Sequence, residues 1–223
     1  MPTVDYRVNN KKIPSVTTVL SRYKNATGLI IWANKLGLDG QSYHDELKKA
    51  ADIGTALHDL AEIHIKGEFY ELPKDEKVRN CFNQFLEWWE NFKQPIIKNQ
   101  IEYFKLLWTE KHFCSEKYLY GGTPDLLVKK NGLNVLIDFK TSKGIYPDYL
   151  VQGSAYAELV KENEKIDIHR FIVCRFPKNN SEPEIKEFSQ DDLKYAFKYF
   201  KTLRKAFDLD KQISKLTRAK HKQ

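Results

Sequence analysis

Along the first 95 residues, hydrophobic side chains recur at steps of three and four positions, which is the period of an amphipathic helix. Ser15 precedes the first such run, and serine caps helix N-termini well. The pattern predicts four helices, over residues 16–23, 29–36, 41–65 and 73–93. We therefore expect a helical N-terminal region.

The fourth predicted helix has the widest hydrophobic face, and most of that face is aromatic. Exposed aromatic rings can stack on nucleic-acid bases, but a face this regular is typical of a protein core. We expect it to be buried, with one exposed tryptophan as a candidate for base contact. The face comprises Val78, Cys81, Phe82, Phe85, Trp88, Trp89 and Phe92.

Beyond residue 95 the pattern changes to short runs rich in β-branched and aromatic residues, which predicts strands. Asn131-Gly132 separates two of these runs and favours a tight type I′ hairpin turn. Ser189 is placed to cap a last helix whose hydrophobic face ends at Phe207. The predicted strands cover residues 101–114, 125–129, 133–140, 168–176 and 184–188, and a helix covers 146–161.

This order of elements predicts an α/β fold class with a central mixed β-sheet flanked by helices. A chain of 223 residues is long enough for one domain with a full core. We divide it into a helical N-terminal part (1–95), an α/β core (96–208) and a basic tail (209–223). Its fractions of hydrophobic residues, 41%, and charged residues, 30%, are those of a globular protein.

The sequence has neither a membrane-spanning run nor an export signal. No hydrophobic run reaches the length that crosses a bilayer. The first residues, MPTVDYRVNNKK, lack the apolar core of a signal peptide. We therefore expect a cytoplasmic location and no membrane partner.

The net charge of +7 is concentrated near the C-terminus. Residues 201–223 contain eight basic and two acidic side chains, so they carry +6 of the total. Such a segment either contacts nucleic-acid phosphates without sequence preference or forms a solvated chain end. The charge leaves both interpretations open.

The three cysteines, Cys81, Cys114 and Cys174, are far apart in the sequence and form no C-x-x-C pair. Their odd number and spacing argue against a disulfide framework or a zinc site. We expect them to be small core residues.

Two carboxylates and one ammonium group are predicted to meet at one end of the hairpin. Alternate side chains of a strand share a face, so Asp138 and Lys140 point to the same side. Asp125 begins the paired strand, near that end. This grouping suits phosphoryl transfer assisted by Mg²⁺ or Mn²⁺, in which carboxylates hold the ion and lysine offsets negative charge.

The alternative is that Asp125 is a turn residue and that Asp138 and Lys140 form an exposed pair. The preceding residues 135–137 are apolar on both faces, as in a buried strand. Unpaired charges at the end of a buried strand are costly, which favours a functional role.

Gly54 and His58 lie one turn apart on the third predicted helix. A glycine costs on the order of 1 kcal/mol in a helix interior, which suggests that a strand or DNA approaches this face closely. His58 alone is more often structural than a ligand, and His44 and His64 are treated as structural.

Four motifs occur in order: GTALH with His58, GTPD with Asp125, IDFKTS with Asp138 and Lys140, and a Q-x-x-x-Y pair. This order resembles the PD-(D/E)XK nuclease superfamily, specifically its RecB-like branch, which includes phage-type exonucleases and the mitochondrial genome maintenance exonuclease. The resemblance implies a restriction-endonuclease-like core.

The resemblance also implies a metal site. Asp125 and Asp138 would hold Mg²⁺ or Mn²⁺, with the carbonyl of Phe139 and the imidazole of His58 as further ligands. Relatives add an acidic residue from the first strand, and Glu110 is the best match. Glu102 and Glu116 are weaker candidates, and Glu110 could equally be a surface residue paired with Lys111 or Lys129.

The remaining motif residues would act on substrate. Lys140 would orient or activate the attacking water. Gln152 and Tyr156 lie four residues apart on one helix face and would position the DNA strand, together with Thr141 and Ser142. Some relatives hold an iron–sulfur cluster through four cysteines, so three cysteines predict no such cluster.

Together these observations predict a metal-dependent DNA nuclease that hydrolyses phosphodiester bonds, an exonuclease of recombination, repair or replication. Its expected partner is DNA with single- or double-stranded ends, and a homo-oligomer or a recombination partner protein stays open. The alternatives are a catalytically inactive DNA-binding or regulatory subunit with the same fold, and a structure-specific endonuclease.

Overall fold

The computed structural model describes residues 4–94, 103–179 and 181–220, with side chains to residue 218. The N-terminal helical region predicted from the sequence is confirmed, with Ser15 capping the first helix through a bond from the Thr18 N–H. A small hairpin that the sequence pattern did not predict, β1 (Arg7–Val8) and β2 (Lys11–Lys12), precedes it. The helices of this region are α1 (Val16–Tyr23), α2 (Thr27–Leu38), α3 (Tyr43–Lys66) and α4 (Glu76–Lys93).

A five-stranded mixed sheet forms the centre of the fold, as predicted. Its strands are β3 (Phe104–Thr109), β6 (Leu126–Lys130), β7 (Leu133–Lys140), β8 (Arg170–Arg175) and β9 (Glu184–Ser189), in that order across the sheet. Only β7 and β8 are parallel, and α5 (Pro147–Glu164) connects them. The other neighbouring strands are antiparallel.

The hairpin between β6 and β7 has the predicted turn. Asn131 and Gly132 both have positive φ, 51° and 77°, as a type I′ turn requires. The turn pairs Lys130 with Leu133 and, further along, Leu126 with Ile137. This register brings Asp125, which precedes β6, to the end of β7 that carries Asp138.

The sheet has a hydrophobic core on each face. Leu127 and Leu136 face α1, α5 and α6 (Gln190–Lys220), while Ile137 and Phe139 face α3 and α4. The aromatic face of α4 belongs to the second core, as predicted, with Trp88 only partly buried. Helices therefore cover both faces of the sheet, and its strand ends remain available for a site.

The prediction of one strand over residues 101–114 is wrong for the part that the structure describes. Strand β3 ends at Thr109, and Glu110 takes a left-handed conformation with φ of 41° that no strand can continue. The chain then enters β4 (Phe113–Ser115), which pairs with β5 (Tyr120–Gly122) in a separate sheet. Residues 101–102 lie outside the described residues.

The predicted basic tail is helical in the part that the structure describes. Helix α6 continues from Gln190 to Lys220, well beyond the hydrophobic face that ends at Phe207. Arg22 of α1 forms an ion pair with Asp210 at 2.9 Å, so the helix extension contacts the body of the protein. Residues 221–223 lie outside the described part of the chain.

Two cysteines, Cys81 and Cys174, are buried in the second core, and Cys114 is partly buried in β4. Among the described helices, none combines the length and the apolar character needed to cross a membrane.

Candidate metal centre at the ends of β6 and β7

Asp125 is fixed at the centre of the site by the hairpin. The backbone N–H of Phe139 donates a 2.7 Å hydrogen bond to its Oδ2. The side chain is only 7% exposed. Because the donor belongs to the strand that carries Asp138 and Lys140, this bond ties the two halves of the predicted motif together.

Asp138 and Lys140 lie on the same face of β7, as their spacing predicts. The Lys140 ammonium forms an ion pair with Oδ2 of Asp138. Oδ1 of Asp138 is buried without a hydrogen-bond partner in the part of the chain that the structure describes. The exposed cross-strand pair considered as an alternative is excluded, because Asp138 is only 1% exposed.

His58 reaches the site from α3. Its Nδ1 lies 3.4 Å from Oδ2 of Asp125 and 3.9 Å from Oε1 of Glu110, and its ring edge contacts Phe139. The residue that comes nearest to Gly54 is Thr141 in the loop after β7, since a Cβ at Gly54 would lie 3.4 Å from Oγ1 of Thr141. That distance is an ordinary van der Waals contact, so the described residues do not require a glycine here.

Glu110 is the acidic residue that joins the site, although it follows β3 rather than lying within it. Its backbone N–H donates a 2.7 Å bond to the carbonyl of Asp125. Lys111, considered as its surface partner, instead pairs with Glu164. Of the weaker candidates, Glu102 is outside the described residues and Glu116 has its N–H bound to Glu162.

One ligand atom each from His58, Glu110 and Asp125 lies within 4.8 Å of the other two. Nδ1 of His58 and Oε1 of Glu110 are buried and have no hydrogen-bond partner among the described residues. Two carboxylates and an imidazole are donors that suit Mn²⁺, and the carboxylates also suit Mg²⁺. The donor set therefore fits the divalent ion predicted from the sequence.

Asp138 is not a member of this three-residue group, and its carboxylate is paired with Lys140. The negative charge of Asp138 still acts on the nearby group, and the charge of Asp125 in turn raises the pKa of Asp138. The role of Asp138 and of the Phe139 carbonyl as metal ligands stays a prediction.

The pKa values of the carboxyl groups at the site are shifted in different directions. Burial raises the pKa of Glu110 to about 7, and repulsion from Asp125 adds to this effect. Burial likewise raises the pKa of Asp138 to about 6, although the Lys140 ammonium opposes it. For Asp125, burial also acts upward, but His58, Lys140 and the Phe139 N–H together hold its pKa below the usual value.

The pKa values of both basic groups of the site are raised. Burial disfavours the His58 imidazolium, but Asp125 outweighs that effect and raises the pKa of His58. Burial similarly disfavours the Lys140 ammonium, yet Asp138 and Asp125 raise the pKa of Lys140. In the metal-free protein, the Asp125 carboxylate therefore favours the charged forms of both His58 and Lys140.

Gln152 and Tyr156 form an internal pair on α5. Nε2 of Gln152 donates a 2.8 Å hydrogen bond to the Tyr156 hydroxyl, and both side chains are buried. The ring of Tyr156 packs on Gly122, where a Cβ would lie only 2.6 Å from it. Burial and the nearby Asp138 raise the pKa of Tyr156 well above its usual value. Their contact with DNA stays a prediction.

Thr141 and Ser142 begin the loop after β7 and are partly exposed. The Ser142 hydroxyl donates a 2.8 Å bond to the carbonyl of Gly144. His64 lies in an aromatic cluster, with its ring near Tyr70 and Phe82. That position agrees with the structural role assigned to His64.

Two residues near the site were not singled out by the sequence. The ring centre of Tyr149 lies 5.1 Å from the Lys140 ammonium. Glu62 lines a small cavity together with His58, Glu110 and Asp125. Helical spacing was the available signal, because Tyr149 lies three residues before Gln152 and Glu62 lies four after His58.

Comparison with known proteins gives little guidance. No family model matches the chain, and no curated protein matches it. Among solved structures, one titled "Crystal structure of SSO0001" is similar at 14% identity, covering 67% of this chain and 84% of that one, with a TM-score of 0.27. At that TM-score the likeness supports no conclusion about fold or function.

Proposed function

We propose that the protein is a Mg²⁺- or Mn²⁺-dependent deoxyribonuclease of the PD-(D/E)XK type, and specifically an exonuclease acting on the ends of linear DNA. One observation carries this proposal. Four chain segments bring His58, Glu110, Asp125 and the Asp138–Lys140 pair together, with several of their polar atoms buried and without a hydrogen-bond partner among the described residues.

Burying such atoms without a partner costs roughly 1–3 kcal/mol each. That cost is difficult to explain for a purely structural cluster, because the surrounding core is apolar and well packed. A divalent ion would satisfy the carboxylates and the imidazole together. His58, Glu110 and Asp125 would hold it, and we include Asp138 as a further proposed ligand.

The ion would lower the pKa of a water molecule and offset charge on the phosphate. The chain's own residues would do the rest. Lys140 would donate hydrogen bonds to the attacking water or to a phosphate oxygen while Asp138 holds its ammonium group in place. The Tyr149 ring beside that ammonium would limit its movement further.

The decisive experiment incubates the protein with end-labelled single- and double-stranded linear DNA and with a covalently closed circle. Each reaction is run with Mg²⁺, with Mn²⁺ and with EDTA. Lys140→Ala is compared with Lys129→Ala, which removes an exposed lysine near the hairpin turn. We expect the linear DNA to be shortened, the circle to stay intact, and activity to vanish only in EDTA and in Lys140→Ala.

The other outcomes separate the alternatives. Cutting of the closed circle would identify an endonuclease. Binding of DNA without cleavage under either divalent ion would identify a non-catalytic DNA-binding subunit and reject the nuclease. Equal activity in Lys140→Ala and Lys129→Ala would reject the assigned role of Lys140.

A further inference from the structure

A groove of about 440 Å³ lies beside the candidate metal centre, where the ends of β7 and β8 meet the first turn of α4. We name it the lysine groove. Its wall includes Lys77, Thr141, Ser142, Lys143, Arg175 and Lys178. None of the described residues that line it is acidic.

The charge of the lysine groove comes from its three lysines. Arg175 contributes less, because its Nε donates to Glu184 at 3.0 Å and its charge is paired. Lys77 and Lys143 are exposed, whereas Lys178 is partly buried with its Nζ bound to the carbonyl of Ala50 at 2.9 Å. Three lysines thus line the groove, and no acidic side chain lies among its described lining residues.

At Lys178, the groove disfavours the charged form of the side chain. Burial lowers the pKa of Lys178, and the neighbouring charge of Lys77 lowers it further. An anion in the groove would relieve that repulsion, and lysine is a good donor to phosphate. The lysine groove therefore has the chemistry of a phosphate-binding surface.

The lysine groove is continuous with the catalytic residues along the chain. Thr141 and Ser142 on its wall directly follow Lys140 at the end of β7. A strand held with one phosphate at Lys140 would therefore place its neighbouring phosphates against this wall. Backbone phosphates, unlike bases, would be bound here without regard to sequence.

We propose that the lysine groove binds the phosphate backbone of the DNA strand on one side of the cut, with Lys77 and Lys143 as its main contacts. This proposal rests on the proposed nuclease function, because that function supplies the substrate. The groove would position the strand and raise affinity, without taking part in the chemistry at the metal centre.

The test measures binding separately from cleavage. A fluorescent single-stranded oligonucleotide is titrated with protein in EDTA at several NaCl concentrations, using wild type, Lys77→Ala, Lys143→Ala and the double variant. Lys129→Ala is the matched control. We expect each groove variant to weaken binding about threefold to tenfold and to reduce the slope of log affinity against log salt by about one.

An unchanged affinity and salt slope in the double variant, equal to those of Lys129→Ala, would overturn the groove proposal. If the wild type still cleaves DNA with Mg²⁺ in that case, the nuclease function stands without the groove. If binding depends on the two lysines but no divalent ion supports cleavage, the groove stands as a DNA-binding surface and the nuclease function fails.

Discussion

The backbone N–H of Phe139 donates a 2.7 Å hydrogen bond to the carboxylate of Asp125, fourteen residues earlier in the chain. The bond spans the two strands of one hairpin and is buried. It orients Asp125 with a group that no side-chain substitution can remove. The charge of Asp125 can therefore be tested separately from its position.

Asp125→Asn keeps an oxygen that accepts the Phe139 N–H but removes the negative charge. We expect the affinity for Mn²⁺ to fall by at least about 100-fold. Replacing even a residue that only hydrogen-bonds to a metal ligand lowers metal affinity about 10- to 100-fold. Calorimetric titration with Mn²⁺ measures this loss. Asp52→Asn, an exposed change on α3, is the control, and an Mn²⁺ affinity in Asp125→Asn equal to this control would reject the site.

The metal-free protein should lose stability as the pH rises. Burial raises the pKa of Glu110 from 4.5 to about 7, so the folded protein binds more protons than the unfolded chain between those values. The resulting loss is roughly 3 kcal/mol for this group, at about 1.4 kcal/mol per pKa unit. Asp138, raised to about 6, acts in the same direction.

Urea unfolding in EDTA at pH 5 and pH 8 measures this dependence. Glu110→Gln should flatten it, since the glutamine does not titrate. Saturating Mn²⁺ should restore stability at pH 8 in the wild type, because the ion binds the ionised carboxylates of the folded state. A wild-type pH dependence retained in full by Glu110→Gln would contradict the assignment.

Replacing each of two glycines with alanine should change the stability of the protein in opposite directions. At Gly54 a Cβ would meet Oγ1 of Thr141 at 3.4 Å, an ordinary contact, so Gly54→Ala should stabilise α3 by about 0.5–1 kcal/mol. At Gly122 it would lie 2.6 Å from the Tyr156 ring, so Gly122→Ala should destabilise by about 1–3 kcal/mol. Urea unfolding of both variants measures these changes. A loss of stability in Gly54→Ala would show that α3 and the loop at Thr141 are packed too tightly to accept a Cβ.

We expect removal of the Tyr156 hydroxyl to lower the free energy of unfolding rather than to weaken substrate binding. Tyr156→Phe leaves the buried Gln152 amide without its partner, which costs about 1–2 kcal/mol. Tyr195→Phe, at a 77% exposed position, should change the free energy of unfolding by less than about 0.5 kcal/mol. Unchanged stability with weakened oligonucleotide binding would instead place the Tyr156 hydroxyl in contact with DNA.

The hairpin and the placement of its charged side chains could be predicted because their signals are local. Asn131-Gly132 determines the turn, the turn determines the register, and strand alternation places Asp138 and Lys140 on one face. The close approach predicted at the helix glycine is not seen among the described residues, because a Cβ at Gly54 would make only an ordinary contact with Thr141.

Other features depend on contacts that no local pattern encodes. The left-handed conformation of Glu110 ends the predicted strand and turns its carboxylate group into the site. Because glutamate rarely adopts this conformation, the sequence does not indicate it. The lysine groove assembles Lys77 with Lys143 and Lys178 from distant parts of the chain. The length of α6 was missed because its last turns contain exposed rather than buried hydrophobic residues.

The turn at Asn131-Gly132 also limits how this gene can change. Surface turns are usually where insertions and deletions are tolerated. Here, a one-residue slip of β7 against β6 would exchange its two faces, directing Asp138 and Lys140 toward α3 and α4 and Phe139 toward α5. A length change at an exposed loop would thus remove the Asp138–Lys140 pair from the candidate metal centre while leaving both residues in the sequence.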